Sequence, residues 1–383
     1  MIPYGRQTID DDDIRAVIEV LHSDWLTTGP KIASFEDAFA RKVNALYAVA
    51  VSSGTAALHA AMYALGICAG DEVIVPPITF PASANCVVFQ GGIPIFVDVE
   101  KDTLLLDPNK IEAKITSKTK AIIAVDYAGQ PCDYDALRAI ASKHKLTLVA
   151  DACHALGANY KGRSVGTLAD MNVFSFHPVK HITTGEGGMI TTDREDFAQR
   201  MRIFRNHGIM TDHQQREAQG SWFYEMVDLG YNYRITDFQC ALGITQLQKL
   251  PRWIERRREI AKHYNEAFAH LKGIKPLAVK PGTDHAYHLY VVRVNNNETE
   301  MNRSTIFKTL RSRGIGVNVH YIPVHLHPFY KKQFATSSGL CPAAEEAYEQ
   351  ILSLPMFPSL SDGDVKYVIE TIENVISNPG QIG

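Results

Sequence analysis

Lys180 is the residue whose surroundings most favour covalent chemistry. It lies in residues 174–188, FSFHPVKHITTGEGG, between an apolar run and a glycine-rich turn. Most lysines are solvated surface charges, but Glu186 is the only acidic residue in this stretch. A lysine held in such a setting can lose its proton and attack an aldehyde, and glycines let the backbone approach a flat ligand closely. We therefore predict that Lys180 is a nucleophile.

Three further patterns accompany Lys180. Asp151 ends the apolar run LTLVAD; it could cap a helix, but pyridoxal phosphate, an aldehyde that a lysine can bind, also needs a carboxylate paired with its protonated ring nitrogen. Residues 52–58, SSGTAAL, open a helical pattern, and a helix N-terminus favours a phosphate, although a plain helix cap is the alternative. Phe80 follows another apolar run and could stack on the ring, although most phenylalanines belong to the core.

These residues follow short apolar runs that alternate with helix-length segments. This alternation predicts an α/β fold with a mostly parallel sheet and helices on both of its faces. Ligands bind beyond the carboxyl ends of the strands in such sheets. The seven runs are residues 48–51, 72–76, 95–98, 121–126, 146–151, 171–176 and 189–192.

The later part of the chain predicts a second, smaller α/β domain. The pattern turns helical from residue 235 to about residue 271, with Pro251 as a kink or boundary. Strands at 288–294 and 316–321, a helix at 301–313 and a closing helix at 362–376 follow. We predict a large domain over residues 1–254, with an N-terminal segment that packs near the site, and a small domain over residues 255–383.

Composition and charge exclude several classes of protein. The net charge of −3 and the absence of a Lys/Arg stripe argue against nucleic-acid binding. The six cysteines form no CxxC pair, so neither a metal site nor a disulfide framework is predicted. The N-terminus does not resemble a signal peptide, and no apolar segment approaches the roughly 20 residues of a membrane helix. We expect a cytoplasmic protein with no membrane contact.

Other ligand-binding classes fit the motifs less well. A dinucleotide oxidoreductase needs GxGxxG, but Gly185, Gly187 and Gly188 lack the third spacing. A P-loop needs a lysine where residues 157–164, GANYKGRS, have Arg163. A cofactor-binding regulator on the same fold could dispense with the lysine, so Lys180 favours an enzyme.

Taken together, the motifs resemble those of the sugar-nucleotide (DegT/StrS) aminotransferase family. The resemblance covers nearly the whole chain and keeps the family's order. It implies a fold-type I pyridoxal-phosphate-dependent transferase with a mostly parallel seven-stranded sheet and a smaller C-terminal α/β domain. The matching pieces are SSGTAAL, PPITFPASAN, DACHALG, FSFHPVKHITTGEGGMI, RNHGI, GYNYRITDFQCALG and LSLPMFPSL.

The resemblance also implies a role for individual residues. Lys180 matches the lysine that bonds to the cofactor aldehyde, and Asp151 matches the partner of the ring nitrogen. His154 falls where many members have Gln, beside the ring and its phenolic oxygen. The remaining matches are phosphate ligands at Thr55, Ala56 and Ser175, the stacking Phe80, Asn232 lent by a neighbouring subunit, and substrate-contacting segments that contain Tyr4, Thr28, Arg234 and Tyr321.

The loop around Lys180 indicates a subgroup. FHPVK followed by ITTGEGG is similar to the UDP-4-amino-4,6-dideoxy-N-acetyl-β-L-altrosamine transaminases of pseudaminic acid biosynthesis. The resemblance then implies transfer of the L-glutamate amino group to a UDP-linked 2-acetamido-2,6-dideoxy-4-keto hexose, by a homodimer with shared sites. Enzymes that make UDP-4-amino-4-deoxy-L-arabinose have a related loop and remain the alternative. Family members that dehydrate sugars have His in place of this lysine.

Overall fold

The computed structural model describes residues 1–211, 216, 220–295, 298–299 and 301–377. Its strands are β1 (Tyr47–Val51), β2 (Glu72–Val75), β3 (Ile93–Phe96), β4 (Thr119–Val125), β5 (Thr147–Asp151), β6 (Asn159–Tyr160), β7 (Arg163–Ser164), β8 (Met171–Ser175), β9 (Gly188–Thr192), β10 (Ile274–Pro276), β11 (Thr283–Asp284), β12 (Tyr290–Val294) and β13 (Ile351–Leu354). Its α-helices are α1 (Asp11–Leu21), α2 (Pro30–Val43), α3 (Gly54–Leu65), α4 (Ala82–Phe89), α5 (Tyr134–His144), α6 (Glu195–Phe204), α7 (Asp237–Phe268), α8 (Arg303–Ser312), α9 (Pro328–Phe334), α10 (Pro342–Gln350) and α11 (Asp362–Ser377).

A seven-stranded sheet forms the centre of the first part of the chain. Its strand order is β1-β9-β8-β5-β4-β2-β3. Strand β9 is antiparallel to both neighbours, and the other pairs are parallel. These strands lie within two residues of the seven apolar runs of the sequence. The predicted mostly parallel sheet flanked by helices is therefore confirmed.

Polar residues lie at the carboxyl ends of the parallel strands, along one edge of this sheet. Asp151 ends β5 and Ser175 ends β8. Helix α3 begins directly after β1, where the Ser53 side chain caps it by accepting from the Ala56 N–H. Since the parallel strands end at the same edge, these three groups converge there.

A second hydrophobic core forms beyond this sheet. It includes Ile306 of α8 and Ile372 of α11, together with residues of the three-stranded sheet β10-β12-β13. Helix α7 joins the two cores: Leu247 packs in the first, and Tyr264 packs in the second. The helix continues through Pro251, so no boundary lies there. The predicted division after residue 254 falls inside the same helix and stays a prediction.

Two segments near the second core bear on the functional site. The predicted strand at residues 316–321 is wrong: Asn318 makes one isolated bridge to Ser353, and no ladder forms around it. The N-terminal segment packs here, because the Ile2 N–H donates to Gly314 and the Tyr4 carbonyl accepts from the Met356 N–H. Tyr4 is thereby carried to the site.

The helices that the structure describes are all too short or too polar for a bilayer crossing. None of them combines the length and the apolar content that such a crossing requires.

We predict that Ile306→Ala lowers the free energy of unfolding by about 2–5 kcal/mol, because it leaves a cavity in the second core. The Ile306 side chain is fully buried. Ile14→Ala removes the same atoms from a half-exposed position on α1 and should change stability by less than about 0.5 kcal/mol. Urea denaturation followed by circular dichroism measures both. Equal effects would contradict this assignment of the core.

Candidate active site

A cavity of about 660 Å³ opens at the carboxyl edge of the seven-stranded sheet. Its size is typical of small-molecule sites. The structure brings together eight of the residues singled out from the sequence, and these line the cavity: Tyr4, Thr55, Phe80, Asp151, His154, Ser175, Lys180 and Tyr321.

Lys180 reaches the cavity from the loop between β8 and β9. The Lys180 N–H donates to the His177 carbonyl at 2.9 Å and closes a tight turn around Pro178. Desolvation lowers the pKa of the Lys180 ammonium below its ordinary value, although the nearby Asp151 charge acts in the opposite direction. The lysine amine is therefore more available as a nucleophile or base than on a solvated lysine.

Asp151 lies at the end of β5 with 7% of its surface exposed. The Ser83 hydroxyl donates to Oδ2 at 2.6 Å, and the Cys153 N–H donates to Oδ1 at 3.3 Å. A carboxylate held by two donors at the wall of a cavity can bind a protonated ring nitrogen.

His154 adds an uncharged imidazole to the same wall. Its Nε2 lies 3.1 Å from the Tyr321 hydroxyl, and its ring centre is 4.4 Å from that of His288. Burial, followed by the positive charge of Lys180, lowers the pKa of His154 well below its ordinary value. Its Nδ1 is buried and has no hydrogen-bond partner among the described residues, which leaves a polar atom available to a ligand.

The N-terminus of α3 forms the end of the cavity that suits a phosphate. Gly54 and Thr55 are its first residues, and N–H groups at such positions have no partner within the helix. A Cβ atom at Gly54 would lie 2.9 Å from the Ser175 Cβ, so a glycine allows this close approach. Ala56, however, is buried and its N–H donates to the Ser53 Oγ at 3.0 Å.

Aromatic side chains form the mouth of the cavity. Phe80 has 58% of its surface exposed, and its ring meets that of Tyr321 edge-on at 6.1 Å. The Tyr4 ring lies 5.3 Å from that of His320. An exposed aromatic at a cavity mouth offers a surface on which a flat or apolar ligand can stack.

Four residues singled out from the sequence do not line this cavity: Ala56, Thr28, Asn232 and Arg234. Asn232 is exposed. Thr28 and Arg234 line a separate surface cleft of about 570 Å³, where the Arg234 guanidinium donates to the Asn206 side chain at 2.9 Å. Within one chain these side chains do not meet Lys180.

Several residues at the site were not predicted from the sequence. His288 and His320 line the cavity, and Ser83 lies behind Asp151. Ser83 belongs to the motif PASAN, and nothing in that motif marks it as a partner of Asp151. Nothing in the sequence distinguishes the two histidines from core residues. Among the described residues, no His, Cys, Asp or Glu cluster is arranged to hold a metal ion.

The groups around the cavity fit pyridoxal phosphate. The Lys180 amine suits its aldehyde, the Asp151 carboxylate suits its ring nitrogen, and the α3 N-terminus with Ser175 suits its phosphate. The fold and this set of donors define a fold-type I pyridoxal-phosphate-dependent transferase.

Comparisons with known proteins identify the family. The sequence model described as the DegT/DnrJ/EryC1/StrS aminotransferase family matches residues 7–373. The chain is 44% identical over 377 residues to the uncharacterized protein MJ1066 of Methanocaldococcus jannaschii, covering 98% of each chain. It is 43% identical to the spore coat polysaccharide biosynthesis protein SpsC of Bacillus subtilis, covering 98% of this chain and 97% of SpsC.

Solved structures agree with this result. The putative sugar aminotransferase Spr1654 of Streptococcus pneumoniae, in its PMP form, gives a TM-score of 0.94 at 35% identity, with 99% of this chain and 100% of that chain covered. Helicobacter pylori PseC, an aminotransferase involved in the biosynthesis of pseudoaminic acid, gives 0.92 at 31% identity, with 98% and 99% covered. The chain belongs to the DegT/DnrJ/EryC1/StrS family and is a pyridoxal-phosphate-dependent sugar aminotransferase.

We predict that the Lys180 amine in the cofactor-free protein titrates below the ordinary lysine value of about 10.4. Desolvation favours the neutral amine, so the neutral form should appear at lower pH than for exposed lysines. Asp151→Asn removes a negative charge that favours the ammonium and should lower the Lys180 pKa further. Reductive ¹³C-methylation followed by NMR titration measures both values, with Lys180→Ala identifying the resonance. A rise in the pKa on Asp151→Asn would contradict the inferred electrostatics.

Proposed function

We propose that this enzyme transfers the amino group of L-glutamate to the C4 ketone of a UDP-linked 2-acetamido-2,6-dideoxy-4-keto hexose, as in pseudaminic acid biosynthesis. The observation that carries transamination is that Lys180 and Asp151 line one cavity. The sugar assignment is supported by the loop FHPVKHITTGEGG and by the likeness to PseC.

The residues of the cavity divide the chemistry between them. Bound pyridoxal phosphate supplies an electron sink for the carbanion formed at the donor α-carbon. The Lys180 amine takes the proton from that carbon and later delivers a proton to C4 of the acceptor sugar. Asp151 would hold a proton on the ring nitrogen of the bound cofactor, and His154 would offer it a neutral hydrogen-bonding group without adding charge.

The cavity mouth supports a 6-deoxy sugar as acceptor. Ile322 lines the cavity and remains 43% exposed, so its side chain can pack against the C6 methyl group while Phe80 stacks on the cofactor ring. Burying one methyl group contributes about 0.8 kcal/mol, or roughly fourfold in affinity. A pentose lacks this methyl group. A preference for the hexose stronger than about fourfold therefore requires contacts with the 2-acetamido group as well.

We predict that glutamate aminates the UDP-linked 4-keto-6-deoxy N-acetyl hexose faster than the UDP-linked 4-keto pentose. Parallel incubations with equal substrate concentrations, followed by mass spectrometry of the nucleotide sugars, measure the two products. Lys180→Ala is the control and should reduce amination of either sugar by roughly a thousandfold or more while the protein stays folded. Turnover of the pentose alone would transfer the assignment to UDP-4-amino-4-deoxy-L-arabinose synthesis.

We also propose that the enzyme is a homodimer whose two chains share each site. A run of exposed apolar side chains precedes Asn232, including Trp222 with 86% and Leu229 with 69% of their surfaces exposed. Exposed apolar patches of this kind are typical of protein interfaces. A second copy that covers this run would bring Asn232 and Arg234 to its neighbour's cavity.

Mixing two inactive variants tests the shared site. Lys180→Ala lacks the reactive amine, and Asn232→Ala lacks the group that we assign to the neighbouring phosphate. After unfolding and refolding together in equal amounts, half of the dimers are mixed and each carries one intact site, so activity should return to about a quarter of the wild-type value. Each variant refolded alone is the control. No recovery in the mixture, with dimers present by light scattering, would contradict shared sites.

We propose a cytoplasmic location. All six cysteines are free, whereas disulfides are typical of proteins from oxidising compartments.

A further inference from the structure

A pair of buried hydroxyl groups lies directly behind Asp151. Ser83 is fully buried in the first turn of α4, and its Oγ lies 2.6 Å from the Asp151 Oδ2. Thr79 has 1% of its surface exposed, and its Oγ1 lies 2.6 Å from the Ser83 Oγ. The cavity touches Thr79 and Asp151, while Ser83 is enclosed between them.

The direction of these hydrogen bonds follows from the chemistry of the acceptor. An ionised carboxylate has no proton to give, so the Ser83 hydroxyl donates to Asp151. The Ser83 Oγ then has only lone pairs to offer, and the Thr79 hydroxyl donates to it. A competing acceptor for Ser83 is the Phe80 carbonyl, but it is neutral and lies farther away, at 3.3 Å. Charge-assisted hydrogen bonds are shorter and stronger than neutral ones.

The remaining contacts of Asp151 do not replace this bond. The Cys153 N–H reaches only the other carboxylate oxygen, at 3.3 Å. Without the serine hydroxyl, the Oδ2 atom would lose its donor in a site where the side chain is 7% exposed. A buried carboxylate oxygen that loses its donor bears the desolvation cost of an unsatisfied charged group, and this cost favours rotation of the carboxylate toward other donors.

We propose that Ser83 is a positioning residue, with Thr79 behind it, that holds the Asp151 carboxylate in the orientation needed to bind the ring nitrogen of pyridoxal phosphate. Ser83 acts through Asp151 and does not touch the cofactor. The Thr79 hydroxyl donates to the Ser83 Oγ. This hydrogen bond limits the rotation of the Ser83 hydroxyl away from Asp151. This role depends on the cofactor and is independent of the sugar that the enzyme uses.

Cofactor binding to the apoprotein tests this role apart from catalysis. The two probes are pyridoxal phosphate and its 1-deaza analogue, in which a carbon replaces the ring nitrogen. The wild-type protein should prefer the natural cofactor, because only this ligand pairs with Asp151. In Ser83→Ala this preference should fall by roughly tenfold or more, the range expected for losing a hydrogen bond to a charged group. Titration monitored by absorbance or tryptophan fluorescence gives both dissociation constants.

Two further variants separate positioning from a general loss of structure. Ser83→Thr keeps the hydroxyl and should restore the preference. Thr79→Val keeps the shape but removes the second hydroxyl, and should reduce the preference in the same direction by a smaller factor. Thr191→Val is the matched control, because Thr191 is equally buried and its hydroxyl donates to the Gly166 carbonyl, outside the cavity lining.

The outcomes distinguish the possibilities. Equal weakening of both ligands in Ser83→Ala would overturn the proposal, since it would indicate a purely structural role. An unchanged preference would overturn it as well. If Ser83→Ala does not fold, Thr79→Val decides: a reduced preference supports the proposal, and a preference equal to that of Thr191→Val contradicts it.

Discussion

The arrangement at this site depends on keeping a lysine and a carboxylate in one cavity without letting them neutralise each other. Desolvation favours the neutral Lys180 amine, and the Asp151 charge favours the ammonium. The carboxylate is held at the end of β5 by donors from Ser83 and from the Cys153 backbone. Because these donors satisfy the anion, it does not need the lysine as its partner, and the amine stays available for chemistry.

The histidines around the cavity follow the same principle. His154, His288 and His181 form a row of buried rings with centres 4.4 and 5.5 Å apart, and the first two line the cavity. Burial lowers the pKa of each ring well below the ordinary value, and the charge of Lys180 adds to this effect. Neutral imidazoles supply hydrogen-bonding atoms without adding a positive charge close to Asp151 and Lys180.

Two residues that the family resemblance assigns to ligand binding lie away from the cavity of their own chain. The residues that resemble phosphate and nucleotide-sugar ligands, Asn232 and Arg234, lie on the outer surface beside an exposed apolar run. An amide and a guanidinium suit an anionic ligand, but within one chain neither side chain lines the cavity that contains Lys180. In the homodimer that we propose, the same residues would serve the neighbouring site.

The sequence by itself determined the fold class and the central chemistry. Short apolar runs that end in polar residues predict parallel strands, and the carboxyl ends of such strands meet at one edge, so the amino-acid order alone groups Lys180, Asp151 and the α3 N-terminus. The tertiary structure decided which other side chains join them. Ser83 and Asp151 are 68 positions apart, and His154 and Tyr321 are 167 positions apart. Periodicity reports only on local neighbours, so it carries no information about such pairs. It also does not show whether a predicted strand finds a partner: the backbone of residues 316–321 makes isolated hydrogen bonds to Ser353 and Ile2 and forms no ladder.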